Sequence, residues 1–193
     1  MIEENPFHIS PVTTTRDLDE TVALLKQYAA SLPVDLSAQA FATELANLHN
    51  TYAGPGGILL RARSTGASAA GLGCVALRPF VPARPPDERD AAVDTPSGGG
   101  PEESREYCVV KRLYVLPSAR GTGLGRALAV RVIDAARARG YRAVRLDTLR
   151  SMEGARSLYA SLGFREVEAY EWAPYGEGET VFMERELRGV GGE

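Results

Sequence analysis

The stretch "LPSARGTGLGRAL", residues 116–128, places Gly121, Gly123 and Gly125 at every second position behind Arg120. A strand-like run precedes it and a helix-like run follows. The first backbone N–H groups of a helix have no internal partner and carry partial positive charge. Glycines remove the Cβ atoms that would keep a phosphate away from those groups. With Arg120 and Arg126 flanking it, the turn reads as a pyrophosphate cradle. Two common phosphate loops are excluded. No Lys-Ser or Lys-Thr follows the last glycine, as a P-loop requires. The spacing is G-x-G-x-G, whereas the dinucleotide fingerprint is G-x-G-x-x-G. A turn with a purely structural role stays open on these residues alone. Other reactive side chains are sparse. Cys74 and Cys108 sit in apolar, strand-like runs and read as buried free thiols. Together with the distant His8 and His49 they make no metal pattern, so no metal is expected.

The elements that must position this turn follow from periodicity. "HISPVT" predicts a short first strand, and Pro11 puts it at an edge. "DLDETVALLKQYAAS" predicts a helix with Leu18, Val22, Leu25 and Ala29 on one stripe, ended by Pro33. "LSAQAFATELANLH" predicts a second helix with Ser37 as N-cap. "GILLRARS" and "AAGLGCVALR" predict a hairpin. Residues 79–105 are rich in proline, glycine and charge and carry few large apolar side chains. Such a segment buries too little surface to offset its ordering entropy, so a mobile insertion is expected there.

Beyond it, "EYCVVKRLYV" is the strongest strand signal. "GLGRALAVRVIDAARARG" is the strongest helix, with Leu124, Leu128, Val132 and Ala135 on its apolar stripe and Gly140 as its stop. "RAVRLDT" predicts a strand, "MEGARSLYASLG" a helix, and "FREVEAY" and "TVFMEREL" two more strands. The second half thus reads β-α-β-α-β-β. The fold class is α/β: a mixed central sheet flanked by helices, one domain over residues 1–188, with a frayed tail at 189–193.

Composition agrees. The chain has 193 residues, 44% hydrophobic and 24% charged, which suits one soluble domain with a core. A formal net charge of −3 argues against nucleic acid as the main partner. No apolar run approaches the roughly 18 residues of a membrane span. "MIEENPFHIS" is polar and acidic, unlike a signal peptide. A cytoplasmic monomer or homodimer, bound neither to membrane nor to nucleic acid, is expected.

"RLYVLPSARGTGLGRAL" resembles the signature of the GNAT superfamily of N-acetyltransferases: a strand ending L-x-V-x-P, then R/Q-x-x-G-x-G/A at a helix start, matched by Arg120, Gly123 and Gly125. "ARSLYASLGF", residues 155–164, resembles the family's second signature, A-x-x-L-Y-x-x-x-G-F. The resemblance is strong over about residues 106–186 and implies acetyl-CoA as co-substrate and an amine as acceptor. It implies that the main chain of Leu113, Tyr114 and Val115 pairs with the pantetheine arm. The pyrophosphate would lie on Gly121, Thr122, Gly123, Leu124, Gly125 and Arg126, with Arg120 and Arg126 adding charge-assisted contacts. Tyr159 matches the tyrosine that faces the cofactor sulfur.

A tyrosine of pKa about 10 donating to a thiolate of about 8.5 goes uphill by roughly 2 kcal/mol, so its help is mainly a hydrogen bond to the developing thiolate. Two positions depart from the family pattern. Met152 stands where many members carry a cofactor-contacting asparagine. Cys108-Val109-Val110 stands where relatives carry Cys-Glu-hydrophobic, which removes that glutamate as general base. Glu106 is the nearest carboxylate in sequence, and a water relay is the equal alternative. In "EWAPYGEGE", Trp172 and Tyr175, with Glu177 and Glu179, are candidates to receive a small cationic amine. Three other readings compete: transfer to a protein or peptide amine, a CoA-binding sensor without catalysis, and a nucleotide-binding Rossmann module.

Overall fold

The computed structural model of the chain describes residues 6–36, 40–65, 70–81, 106–171, 173, 175–176 and 178–187. Ser37, Trp172, Glu177, the tail and all but the first three residues of the 79–105 segment lie outside them. The strands are β1 (Phe7–Pro11), β2 (Ile58–Ser64), β3 (Gly71–Pro79), β4 (Tyr107–Val115), β5 (Ala143–Leu149), β6 (Arg165–Val167) and β7 (Thr180–Glu186). The helices are α1 (Thr15–Ser31), α2 (Phe41–Ala46), α3 (Leu48–Tyr52), α4 (Leu124–Ala138) and α5 (Glu153–Ser161). The strands form one mixed seven-stranded sheet in the order β1-β2-β3-β4-β5-β7-β6. This is the predicted α/β class, and Pro11 is indeed on an edge strand. Contacts cluster into two compact units, Met1–Arg78 with Val110–Ala135, and Pro79–Val109 with Ala136–Glu193.

In the first unit, β1 and β3 both pair antiparallel with β2. Leu24 and Leu25 of α1 pack with Leu48, Tyr52, Leu59, Cys74, Ala76 and Tyr114 in one buried cluster. The predicted α1 stripe is turned. Its deepest positions are Asp17, Thr21, Leu24 and Leu25, while Leu18, Val22 and Ala29 are half-buried. Two polar residues share the buried face because each has local partners. Asp17 closes a capping box with Thr14 and pairs with Arg61 at 2.5 Å, and Thr21 donates its hydroxyl to the Asp17 carbonyl at 2.7 Å. The single helix predicted over residues 36–49 is instead two short ones. Asn47, at φ −119° and ψ 25°, interrupts them.

In the second unit, β4 pairs parallel with β5 over three residue pairs, Tyr107–Val109 with Ala143–Arg145. β5 and β6 both pair antiparallel with β7. Arg145 lies between the rings of Phe80, Tyr107 and Tyr170, 4.8, 3.7 and 4.7 Å from their centroids, and bonds Glu184 at 2.9 Å. Tyr170 donates its hydroxyl to the Leu146 carbonyl at 2.8 Å, pinning the segment after β6 onto the sheet. Cys74 and Cys108 are free and buried, and burial pushes each thiol up to about 12. Among the described residues no helix is long and apolar enough to cross a membrane, and no cluster of His, Cys, Asp or Glu could hold a metal.

Candidate active site

β4 runs through Leu116 into a tight 3-10 turn, Pro117–Ala119. Ala119 N–H donates to the Leu116 carbonyl at 2.9 Å, and the Thr122 hydroxyl donates to the Ala119 carbonyl at 2.8 Å. The chain then reverses through Gly121 and Gly123, at φ 79° and 84°. Residues with a Cβ rarely adopt those angles, so both glycines are required by the backbone itself. A Cβ added at either would meet nothing within 4 Å, so the turn is open on that side. The α4 ladder opens with Ala127 N–H donating to the Gly123 carbonyl at 3.0 Å.

The electrostatics of this helix start differ from those of α1 and α5. α1 has Asp17 in its first turn and α5 has Glu153, each opposing the positive end of its helix. α4 has no acidic residue there. It has Arg126 instead, exposed, with Arg120 just before it. A cation at the positive end of a helix is unfavourable by up to about 1 kcal/mol, which a bound anion reverses. The geometry and the charge both fit a phosphate group.

The expected arm-binding residues lie beside the turn. Leu113 and Val115 are half-buried, and Tyr114 is buried with its ring 5.7 Å from Tyr28. The Val115 carbonyl accepts from Arg120 Nε at 3.2 Å, which leaves it a second lone pair. β4 reaches this point through a kink at Arg112, whose φ is 61°. A left-handed residue with a side chain costs about 1–2 kcal/mol. Beside β4 in the sheet, Gly73 of β3 comes so close that a Cβ there would lie 2.5 Å from the Tyr114 carbonyl oxygen.

The residues expected to form the cradle and to bind the arm thus fall within the first unit. Glu106, Tyr159 and Tyr175 belong to the second. Glu106 immediately precedes β4 and pairs with the exposed Arg142 at 3.3 Å. Tyr159 is buried on α5, with its ring edge-on to Phe164 at 5.4 Å. Met152 starts α5 with no side-chain cap, and its sulfur accepts from the Thr148 hydroxyl at 3.7 Å. Tyr175 is half-buried, and its N–H donates to the Thr180 hydroxyl oxygen at 3.1 Å. Glu179 is exposed.

Sequence reasoning passed over Gly73, Arg112 and Glu44. An isolated glycine inside a strand signals close backbone approach, and "GLGCV" carried that signal. Arg112 and Glu44 are 68 positions apart and had no local signal.

Residues 29–164 match the family model described as the acetyltransferase (GNAT) family. A protein named as an uncharacterised N-acetyltransferase of Schizosaccharomyces pombe is 35% identical over 187 residues, 97% of this chain and 99% of the relative. Among solved structures, an acetyltransferase from Streptococcus agalactiae aligns with TM-score 0.68 at 18% identity, over 95% of this chain and all of that one. An acetyltransferase from Salmonella typhimurium, solved with its cofactor acetyl-CoA, aligns with TM-score 0.64 at 18% identity, over 97% of each chain.

Proposed function

The chain belongs to the GNAT family of N-acetyltransferases, and from that premise we propose that it moves the acetyl group of acetyl-CoA to the amine of a small molecule by direct attack. One observation carries the reading. The α4 helix start is open and glycine-lined, has no acidic residue, and has arginines on either side. The N–H groups of Gly121 to Arg126 hold the pyrophosphate, and the main chain of Leu113, Tyr114 and Val115 holds the pantetheine arm. Both contacts use backbone that the turn and β4 already fix. Arg120 and Arg126 add charge to the phosphate site.

Acetyl-CoA supplies a thioester carbonyl that an unprotonated amine can attack, giving an amide and free CoA thiol. The Tyr159 hydroxyl donates a hydrogen bond toward the sulfur that leaves; this role rests on the A-x-x-L-Y-x-x-x-G-F match. Glu106, or water, takes the proton that the amine must lose. Trp172 and Tyr175 contribute to the acceptor's binding wall. Two buried free thiols suit a reducing compartment, and the cytoplasm is the proposed location.

The test is acetyl-CoA-dependent thiol release with a panel of small amines, amino acids and peptides. Release with small amines is expected. Release with peptides alone would move the acceptor to a protein amine. Saturable acetyl-CoA binding without release on any amine would make the chain a sensor.

A further inference from the structure

Among the described residues only Ala40 and Arg112 combine a side chain with a positive φ, 54° and 61°. The two segments are tied together. Arg112 donates Nε to Glu44 Oε1 at 2.9 Å and Nη2 to Glu44 Oε2 at 2.6 Å. Glu44 lies on α2, which Ala40 precedes. Tyr52 donates its hydroxyl to the same carboxylate at 2.8 Å, and the Phe41 ring lies 5.0 Å from the guanidinium carbon. The two charged side chains are 4% and 14% exposed, so this is an ion pair taken out of water. Burial lifts the Glu44 carboxyl, but the hydrogen bonds and charge of Arg112, with the Tyr52 bond, outweigh it and hold the group below its ordinary value. Both partners are therefore charged at neutral pH.

The location of this pair gives it meaning. β4 is buried at three successive positions, Cys108, Val109 and Val110, and then alternates, with Arg112 and Tyr114 in and Leu113 and Val115 half-exposed. The left-handed residue lies two positions beyond the last of the three and leads directly into Leu113–Val115. Side chains alternate along a strand, so removing such a kink turns the following residues toward the other face. An arginine has no intrinsic preference for this backbone. Something must hold it there, and the two-point bond to Glu44 is placed to do so.

We propose that Arg112 and Glu44 are positioning residues for acetyl-CoA: their ion pair holds the β4 kink that sets the main chain of Leu113–Val115 for the pantetheine arm. The proposal rests on the reading that acetyl-CoA binds along this strand and turn.

The experiment compares two double variants of the full chain, E44Q/R112A and E44Q/R112G. Both remove the bridge, and Glu44→Gln avoids leaving a buried charge unpaired. Only glycine adopts a positive φ freely. Acetyl-CoA dissociation constants are measured by calorimetry, with melting temperatures alongside. If the kink is what matters, E44Q/R112G binds within about 3-fold of wild type, and E44Q/R112A binds about 10-fold or more weaker, the range set by the cost of a left-handed alanine. A merely structural pair predicts a gap in melting temperature alone, with both variants binding acetyl-CoA alike at a temperature where both are folded. Equal affinity in the two variants, beside a wild type that binds, overturns the positioning role and leaves the proposed function standing. A folded wild type with no acetyl-CoA affinity overturns both. Should the double variants not fold, R112K decides. It keeps the charge and loses the two-point fork, so its dissociation constant should rise with kcat at saturating acetyl-CoA unchanged; an unaltered dissociation constant sinks the proposal.

Discussion

Replacing Gly73 with alanine should both destabilise the protein and weaken acetyl-CoA binding, because the added methyl has nowhere to go. Its carbon would stand 2.5 Å from the Tyr114 carbonyl oxygen, 3.3 Å from Val115 Cα and 3.3 Å from a Leu128 methyl. Two of those three neighbours are backbone, so no rotamer change relieves the clash. Restoring ordinary contact moves β3 and β4 apart by about 1 Å. The Leu116 N–H to Leu72 carbonyl bond, now 2.9 Å, lies one residue away and is strained with it. Overpacking of this kind costs about 1–3 kcal/mol, of which alanine's smaller chain entropy returns about 0.5–1. The net loss of up to about 2.5 kcal/mol should lower the melting temperature by up to about 10 °C in a chain of this size. The displaced strand carries Tyr114 and Val115, the proposed main-chain partners of the pantetheine arm, so losing one such hydrogen bond should raise the acetyl-CoA dissociation constant about 3–10-fold. Thermal melts and calorimetric titration read both effects. A G73A protein that melts within about 1 °C of wild type and binds acetyl-CoA equally well would refute the claim that this close approach fixes the arm-binding strand.

Other outcomes follow from individual residues. Tyr159→Phe keeps the ring that packs on Phe164 and removes the hydroxyl; single-turnover rates should fall about 10²-fold with little change in acetyl-CoA affinity, and an equal rate would return Tyr159 to a packing role. Cys74 and Cys108, with thiols pushed up to about 12 by burial, should resist a thiol reagent at about pH 8 in the native protein and react only on unfolding; prompt native labelling would show that they are not buried. Glu44 has a depressed folded pKa, so the stability it lends is complete above its unfolded value of about 4.3 and is lost as the pH falls through the folded one. Wild type should therefore lose melting temperature more steeply than E44Q on going from about pH 5 to pH 3, and parallel curves would contradict the pairing.

What the sequence disclosed was what is local. The turn at Gly121 and Gly123 needs particular residue types within six positions, and those types show at once. The α4 stripe was readable because Leu124, Leu128, Val132 and Ala135 are all apolar; the first three are buried and Ala135 is half-buried. α1 was turned relative to its reading because apolar periodicity ignores polar residues. Asp17 and Thr21 are buried through a capping box, an ion pair to β2 and a backbone bond that no hydropathy pattern contains. α2 and α3 separate at Asn47, whose backbone leaves the helical region and whose side chain joins its own N–H on the Thr43 carbonyl, at 3.2 and 3.1 Å. The Arg112–Glu44 pair escaped because its partners meet only after folding.

The central claim is that main-chain N–H groups at the start of α4 hold the phosphates of acetyl-CoA. Amide-resolved NMR of the labelled protein during a titration with acetyl-CoA tests it directly. The account predicts that the amide signals of Gly121 to Arg126 move together and saturate with the ligand. Saturable binding that leaves those amides where they were would contradict it.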